Sequence, residues 1–353
     1  MHTCQIALIQ CALLGIASAS VHADTWHVPD DFPTIQEALD AASADDTILV
    51  GPGTYYESLD FDNKNMILMS TDGLDSTFID GSNTTASLVQ MVHCGSPARV
   101  QGFTFQNADG GTPVGQDETI IVGGGIRVLA GQPVIEDCHF INCHSGYGGG
   151  IHSGGSNVSV INCSFLNCSA SANAGGLLVI NGLGTIEGCY FEGNHATLMG
   201  GAIHIVNGDG HAIHDSEIIN NTAIDGAGIS WHNIQTGFGL DITGCNISGN
   251  SATNAGGGIR SVAGSAPVSF TDSILCDNNP DEIIGPFVDN GGNTLCVCPA
   301  DINGNGIVES DDILIVVAQW ATSGPQGDIN QDGIVDISDL LEALATFGPC
   351  ANF

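Results

Sequence analysis

Positive charge is almost missing from this chain. Only Lys64, Arg99, Arg127 and Arg260 carry it, against 39 acidic residues, for a formal net charge of −35. Such an acidic excess repels phosphate polymers, which excludes nucleic acid and anionic membranes as partners. It equally disfavours acidic polysaccharides unless bound cations bridge the like charges. Long apolar stretches are scarce too. The run from Ile6 to Ile16 is too short to span a bilayer, and no other segment could cross one. The chain also lacks a basic stretch at its start. Even so, Val21-His22-Ala23 fits a small-x-small cleavage pattern before Asp24, so residues 1–23 read as a secretion signal. The expected location is therefore extracellular or cell-surface. High acidity with 49 glycines leans toward disorder by composition alone, but the apolar content of 42% and a strict periodicity outweigh that.

The periodicity lies between Ile120 and about Asn279, where one pattern returns six times. Each return opens with small residues before an aliphatic, ending at Ile126, Ile151, Leu177, Ile203, Ile229 and Ile259. A second motif follows, starting at Cys138, Cys163, Cys189, Ser216, Cys245 and Ser273, with Cys143, Cys168, Asn194, Asn221, Asn250 and Asn278 five residues further on. The apolar residues alternate with period two and are broken by Gly and Asn, so the segments are strands. A strand-only repeat of roughly 25–30 residues cannot bury its apolar face alone and must stack on its neighbours. The expectation is an all-β parallel β-helix over residues 24–285, with 286–298 as cap and linker. Stacked rungs place equivalent side chains in ladders roughly 4.8 Å apart. Thr34 and Glu37 form a capping box for a short amphipathic helix bearing Ile35, Ala38, Leu39 and Ala42, an N-terminal cap that hides the first rung.

These repeats resemble right-handed parallel β-helix proteins of the pectin-lyase-like class. The opening DFPTIQEALDAASADDTILVGPGTYYESLDF is similar to that of many secreted β-helix proteins, and GPGTYYE looks like an early turn of pectin methylesterases. Later motifs hold the catalytic carboxylates and glutamines of those enzymes. No matching Phe-Gln-Asp or Asp-Phe segment is present, so the resemblance implies the fold and not the activity.

Thirteen cysteines become eleven after cleavage. In a secreted protein disulfides are expected, yet ladder neighbours have parallel Cβ vectors held near the rung spacing, beyond the preferred separation. Cys138, Cys163, Cys189 and Cys245 therefore read as buried thiols acting as small apolar residues. The longest loop, Ala108 to Thr119, carries Asp109, Asp117 and Glu118; it reads as a solvated acidic loop ahead of a binding site.

From Pro299 the composition changes. Two copies of one motif, DINGNGIVESDD from Asp301 and DINQDGIVDISD from Asp328, stand 27 residues apart. Each offers oxygens at positions 1, 3, 5, 9 and 12, Gly at 6 and a carbonyl at 7, the order of an EF-hand loop built for Ca²⁺. The first set is Asp301, Asn303, Asn305, the Ile307 carbonyl, Glu309 and Asp312; the second is Asp328, Asn330, Asp332, the Ile334 carbonyl, Asp336 and Asp339. One helix is expected after each loop, Ile313 to Trp320 and Leu340 to Phe347. Nine acids and no basic residue occur in this segment, so it should fold only with cations.

Paired loop-helix units with Asp at position 12 resemble type I dockerins, over about Pro299 to Pro349, which assigns residues 299–353 to a small α-helical calcium-binding domain. The resemblance implies two Ca²⁺ sites and a cohesin-like partner contacted through positions 10 and 11, here Ser310, Asp311, Ile337 and Ser338. They are not a symmetric pair. Dockerin-like folds bring their ends together, which implies a Cys298–Cys350 bridge; Cys276 with Cys296 is the next pair in order.

Three functions remain open for the repeats: a polysaccharide-processing enzyme, a noncatalytic carbohydrate-binding or adhesive solenoid, and a structural surface protein. Lyases on this fold need a basic residue beside Ca²⁺-binding acids, and hydrolases need paired carboxylates; no carboxylate pair recurs on facing rungs. The residues after each motif aliphatic, Arg127, His152, Leu178, His204, Ser230 and Arg260, point outward by alternation, with Trp231 and His232 beside them. This column either lines a glycan groove or samples ordinary polar surface, and six positions lean toward the second. The reading taken forward is a secreted β-helix that binds or processes polysaccharide, carried by a calcium-dependent dockerin-like tail, with the structural or adhesive solenoid as alternative.

Overall fold

The computed structural model describes residues 22–110, 122–208, 210–233, 239–262, 264–296, 300–303, 307–323, 326–330 and 332–349. The chain winds into a parallel β-helix whose four sheets contain eleven, ten, nine and five strands. Each full repeat visits them in turn: for example 134–136 in the eleven-stranded sheet, 139–141 in the ten-stranded, 144–147 in the five-stranded and 151–154 in the nine-stranded.

Single residues at positive φ make the corners. Asp137, Asn162 and Asp215 turn the chain between the first two sheets, and Asn142, Asn167 and Asn220 do so five residues later. Asn and Asp tolerate this conformation through local side-chain bonds. Gly102, at φ 82, likewise separates strand 99–101 from strand 104–106. The GGG motif also has three separate causes. Gly148 sits at φ 67; a Cβ on Gly149 would meet the Ser169 carbonyl at 2.4 Å; and one on Gly150 would meet the Phe165 ring at 2.6 Å. In the fourth repeat the third glycine is replaced by Ala202, where the facing ladder residue is Ile218 rather than Phe.

Three ladders fill the interior. Phe105, Phe140, Phe165 and Phe191 stack with centroids 5.1, 4.8 and 4.5 Å apart, each pair adding about 0.5–1.5 kcal/mol beyond its buried area. Asn194, Asn221, Asn250 and Asn278 form the second. Each Nδ2 donates to the next Oδ1 at 2.9 Å, and each Oδ1 also accepts a backbone N–H of the preceding rung. The third is Cys138, Cys163, Cys189, Ser216, Cys245 and Ser273, all buried, with the four thiols free as expected.

At the start, helix α1 (Ile35–Ala41) buries Ile35, Ala38 and Leu39 over the first rung. Thr34 Oγ1 accepts from the Glu37 amide at 3.2 Å, while Glu57 takes the amides of Ile35 and Gln36. At the other end rung pairing continues through the stretch expected as cap and linker. Phe287–Asp289 pairs with Val268–Thr271, and Thr294–Leu295 with Ile274–Cys276. A disulfide joins Cys276 to Cys296 with Cα atoms 4.7 Å apart. Cys296 follows directly on the pairing of Leu275 with Leu295, opposite Cys276, so rung spacing alone does not prevent a bridge at the last rungs. Cys298 and Cys350 lie outside the described residues.

The C-terminal module has helices α2 (Ser310–Ala318) and α3 (Ile337–Ala345). Both begin three residues earlier than expected, because Asp312 and Asp339 accept the Glu309 and Asp336 amides and so nucleate the first turn. Ile307–Val308 pairs antiparallel with Gly348–Pro349, which brings the two ends of the module together.

Candidate functional site

Two regions carry the residues singled out by sequence. On the nine-stranded sheet the expected column exists as a register-true ladder: Asp60, Gln90, Arg127, His152, Leu178, His204, Ser230 and Arg260 stand opposite one another rung by rung. It is not an open groove. Arg127 and His152 retain 7% and 8% of their surface, and Leu178, His204 and Ser230 are buried as well. Burial disfavours the imidazolium, so His152 and His204 are pushed down to about 4, His152 also by the neighbouring Arg127 charge. Both rings are neutral near pH 7. Arg260 is part-buried and ion-paired with Asp225.

Trp231 belongs elsewhere. It alternates inward, is fully buried, packs edge-on to His211 at 5.4 Å and donates Nε1–H to the Ala266 carbonyl at 2.8 Å. A core indole cannot stack on a ligand, which removes it from the candidate set. His232 is part-exposed beside the column.

Sequence reasoning missed two groups. Glu282 is buried at the end of the Asn ladder, where it accepts from the Asn278 amide and side chain. Burial raises it to about 7 against those lowering bonds. Its place four residues after the last ladder Asn was the available signal. On the outer face of the ten-stranded sheet, Tyr190 donates to Glu192 Oε2 at 2.9 Å with Glu217 opposite it on the next rung. Those two carboxylates sit on adjacent rungs, which a search for carboxylates at equivalent positions cannot find. Within the expected acidic loop, the backbone of Asp109 forms a parallel β-bridge with that of His144, and residues 111–121 lie outside the described residues.

The tail loops place their position-12 acids at the centre. Asp312 and Asp339 are both fully buried. Asp312 accepts from the amides of Asn303 and Glu309 at 2.9 and 3.0 Å; Asp339 accepts from Asn330 and Asp336 at 3.1 and 2.8 Å. Burial acts to raise Asp339, but these amides outweigh it and hold the carboxyl below its ordinary range. In the second loop Asp328 accepts from Asp332 and Gly333, Asn330 from Asp332, and Asp332 from Ile334, all at 2.9–3.0 Å. Among the described residues no three His, Cys, Asp or Glu side chains gather as a metal-holding group. The loop carboxylates are turned onto loop amides, and much of the expected ligand set consists of Asn and carbonyl oxygens. The all-oxygen donors around Gly333 at φ 95 fit a hard cation such as Ca²⁺. Asn305 lies outside the described residues.

Duplication extends past the loops. The small core pairs Val308 with Val335, Val316 with Ala343 and Ile302 with Ile329, each 27 residues apart. Exposed apolar residues follow the same offset: Ile307 with Ile334, Leu314 with Leu341, Val317 with Leu344, and Trp320 with Phe347. Ser310, Asp311, Ile337 and Ser338, the expected partner contacts, are all exposed at the helix starts.

The family model described as right handed beta helix region matches residues 87–310. No curated protein matches this chain detectably in sequence. Among solved structures, a pectin methylesterase from carrot is similar at 15% identity and TM-score 0.48, covering 78% of this chain and 90% of that one. The catalytic domain of an α-1,3-glucanase complexed with nigerose is similar at 11% identity and TM-score 0.36, covering 74% and 67%. The A-module of an Azotobacter vinelandii mannuronan C-5 epimerase follows at 14% identity and TM-score 0.24, covering 74% and 93%. At these scores no residue role passes from them to this chain. Among the described residues no helix is long and apolar enough to cross a membrane.

Proposed function

The chain belongs to the right-handed β-helix family, and from that premise we propose that it is an extracellular polysaccharide-binding solenoid delivered by a calcium-dependent docking tail. The observation that carries this reading is the duplication of the tail. Loop acids, core residues and exposed apolar side chains all recur at one offset of 27 residues. A disordered acidic tail has no reason to keep all three in step.

In the tail, Asp301, Asn303, Asn305, Glu309, Asp312 and the Ile307 carbonyl would hold one Ca²⁺, and Asp328, Asn330, Asp332, Asp336, Asp339 and the Ile334 carbonyl the other. The ions would supply charge that nine acids lack, freeing the loops to fold around their buried position-12 carboxylates. With the loops set, Ser310, Asp311, Ile337 and Ser338 and the apolar faces beside them form the surface for a cohesin-like protein partner. Exposed Leu341 and Leu344 extend that surface along α3.

The solenoid repeats its outer columns at roughly the 4.8 Å rung spacing, which suits a repeating polymer better than a single small molecule. Binding is favoured over turnover because the sheet's His and Arg residues are covered, neutral or ion-paired rather than poised as a base. The test is a glycan array with the full chain in Ca²⁺, alongside assays for reducing ends and unsaturated products. Retention without product is the expected result. Product release would replace the binding reading with an enzyme, and neither retention nor product would leave the structural or adhesive solenoid.

A further inference from the structure

Three of the four basic residues have their charge met. Arg99 pairs with Glu136, Arg260 pairs with Asp225, and Lys64 Nζ donates to the carbonyls of Leu39 and Asp40 at 2.9 and 3.0 Å. Arg127 is different. Among the described residues no carboxylate reaches ion-pair distance of its guanidinium, although the chain carries 39 acids. Its Nη1 donates to Gln90 Oε1 at 3.1 Å, while Nε is buried and has no partner. On the next rung, directly opposite in register, His152 is also buried, and its Nδ1 has no partner in another residue.

A covered cation with an unmet donor is costly, and a buried polar atom left unpaired costs nearly as much as a lost hydrogen bond. Two such covered atoms stand on adjacent rungs, with Asp60 on the same column acting on Arg127 only at longer range, and leave donors that an anion could meet. We propose that Arg127 and His152 form an oxyanion site on the outer face of the nine-stranded sheet, and that its ligand is a monovalent carboxylate.

The chemistry selects that class. The guanidinium edge presents parallel N–H donors that match the two oxygens of a planar carboxylate. The neutral His152 ring carries one N–H, and in its Nδ1–H tautomer it would donate to the same group from one rung away, roughly 4.8 Å along the sheet. Gln90 fixes the guanidinium from the opposite rung, and Leu178 closes the far side of His152 with an apolar wall. A net charge of −35 opposes multivalent anions more than monovalent ones, so phosphate is the weaker ligand. A free carboxylic acid and the carboxylate of an acidic sugar share this chemistry. As a glycan contact the site rests on the polysaccharide reading above; as an anion site it stands without it.

The test uses the full chain in Ca²⁺, with binding followed by calorimetry and saturation-transfer NMR. Sodium acetate, sodium glucuronate, glucose and inorganic phosphate are the probes. The proposal expects saturable binding of acetate and glucuronate, with phosphate at least tenfold weaker and glucose independent of Arg127. Arg127→Met should lose at least tenfold in carboxylate affinity, yet melt at the same temperature or higher, because a covered charge with no contact ion pair has been removed. Arg127→Lys, which keeps the charge without the planar edge, serves as a second variant and should lose affinity less severely. No saturable carboxylate binding by the wild type, or equal binding by Arg127→Met, would overturn the site. Binding of acetate and glucuronate with no retention of any acidic polymer keeps the site and removes the polysaccharide reading. Acidic-polymer retention that is unchanged in Arg127→Met does the reverse.

Discussion

In the solenoid, equivalent residues of successive repeats touch: Phe stacks on Phe, and Asn bonds to Asn. In the C-terminal module, residues 27 apart share one small core or stay exposed in matching pairs. The first use of repetition needs nothing but more rungs, since every added repeat buries the face of the last. The second leaves a core of few side chains surrounded by acids, too small to stand alone by apolar burial. Stability in the two regions should therefore answer to different perturbations.

The largest expected effect separates them outright. Chelating Ca²⁺ from the full chain should strip amide-exchange protection from α2 and α3 while the ladder strands keep theirs. Asp301→Ala combined with Asp328→Ala should do the same at millimolar Ca²⁺. Equal protection of the helices with and without the metal would sink the calcium-linked folding of the tail.

Within the solenoid the next largest effect belongs to the ring stack. Phe165 lies between Phe140 and Phe191 and is fully buried. Phe165→Ala should cost about 3–5 kcal/mol, read from denaturant unfolding of the full chain. The tail's helices should keep their Ca²⁺ response in that variant. Asn221→Ala comes after it. Asn221 Nδ2 bonds the Asn250 Oδ1 and the Phe191 carbonyl, and its own Oδ1 takes both the amide and the side chain of Asn194. Leaving those groups unmet costs about 1–3 kcal/mol, and a neutral result would show that the ladder is ornament to the packing.

The ladders were legible because alternation and spacing report register directly. Cys138, Cys163 and Cys189 fall in line in the sequence as they do in space. The corners were legible only where Asn, Asp or Gly occupies them; Ala130 and Ala174 also adopt positive φ, and nothing in an alanine announces that. Of the candidate site, the column's register was readable and its cover was not. Alternation says which way Arg127 and His152 point, whereas burial depends on what else the chain lays over that face. Trp231 was misplaced by proximity in sequence, although the same alternation that turns Ser230 outward turns Trp231 into the core. Helix α2 began earlier than expected because an acid at position 12 serves both the loop and the helix start.

A smaller effect sharpens the comparison at the solenoid's last rungs. Glu282 has its folded pKa raised from 4.5 to about 7, so between those values the folded state binds more protons than the unfolded one. Its contribution is fully present below about pH 4.5 and is lost as pH rises through 7. The loss is on the order of 1–2 kcal/mol once partial solvent screening is allowed for. The acids elsewhere titrate too, so the readout is the difference between wild type and Glu282→Gln, which keeps an acceptor for Asn278 without the charge. That difference should open between pH 5 and 7, with the variant the more stable above; a difference that does not change with pH would remove Glu282 as the titrating group.

The smallest effect is expected in the thiol ladder. Cys189 is buried, and its Sγ–H points to the carbonyls of Val160 and Glu187 at 3.4 Å. At the equivalent position of the next rung stands Ser216, whose hydroxyl donates to His214 O at 2.7 Å and accepts the Cys189 amide at 3.0 Å. Ser273 repeats the arrangement, donating to Thr271 O at 2.9 Å and accepting from Cys245 at 3.1 Å. A hydroxyl is thus already satisfied twice at this ladder position, so the usual cost of burying one does not arise. Cys189→Ser should change solenoid stability by less than about 1 kcal/mol. Burial, reinforced by the neighbouring Cys138 and Cys189 thiols, holds the Cys163 thiol well above its ordinary range, so it should resist alkylation in the folded protein. If Cys189→Ser instead costs as much as Phe165→Ala, the ladder thiols are performing a bonding role that serine cannot imitate, and their reading as small apolar filler fails.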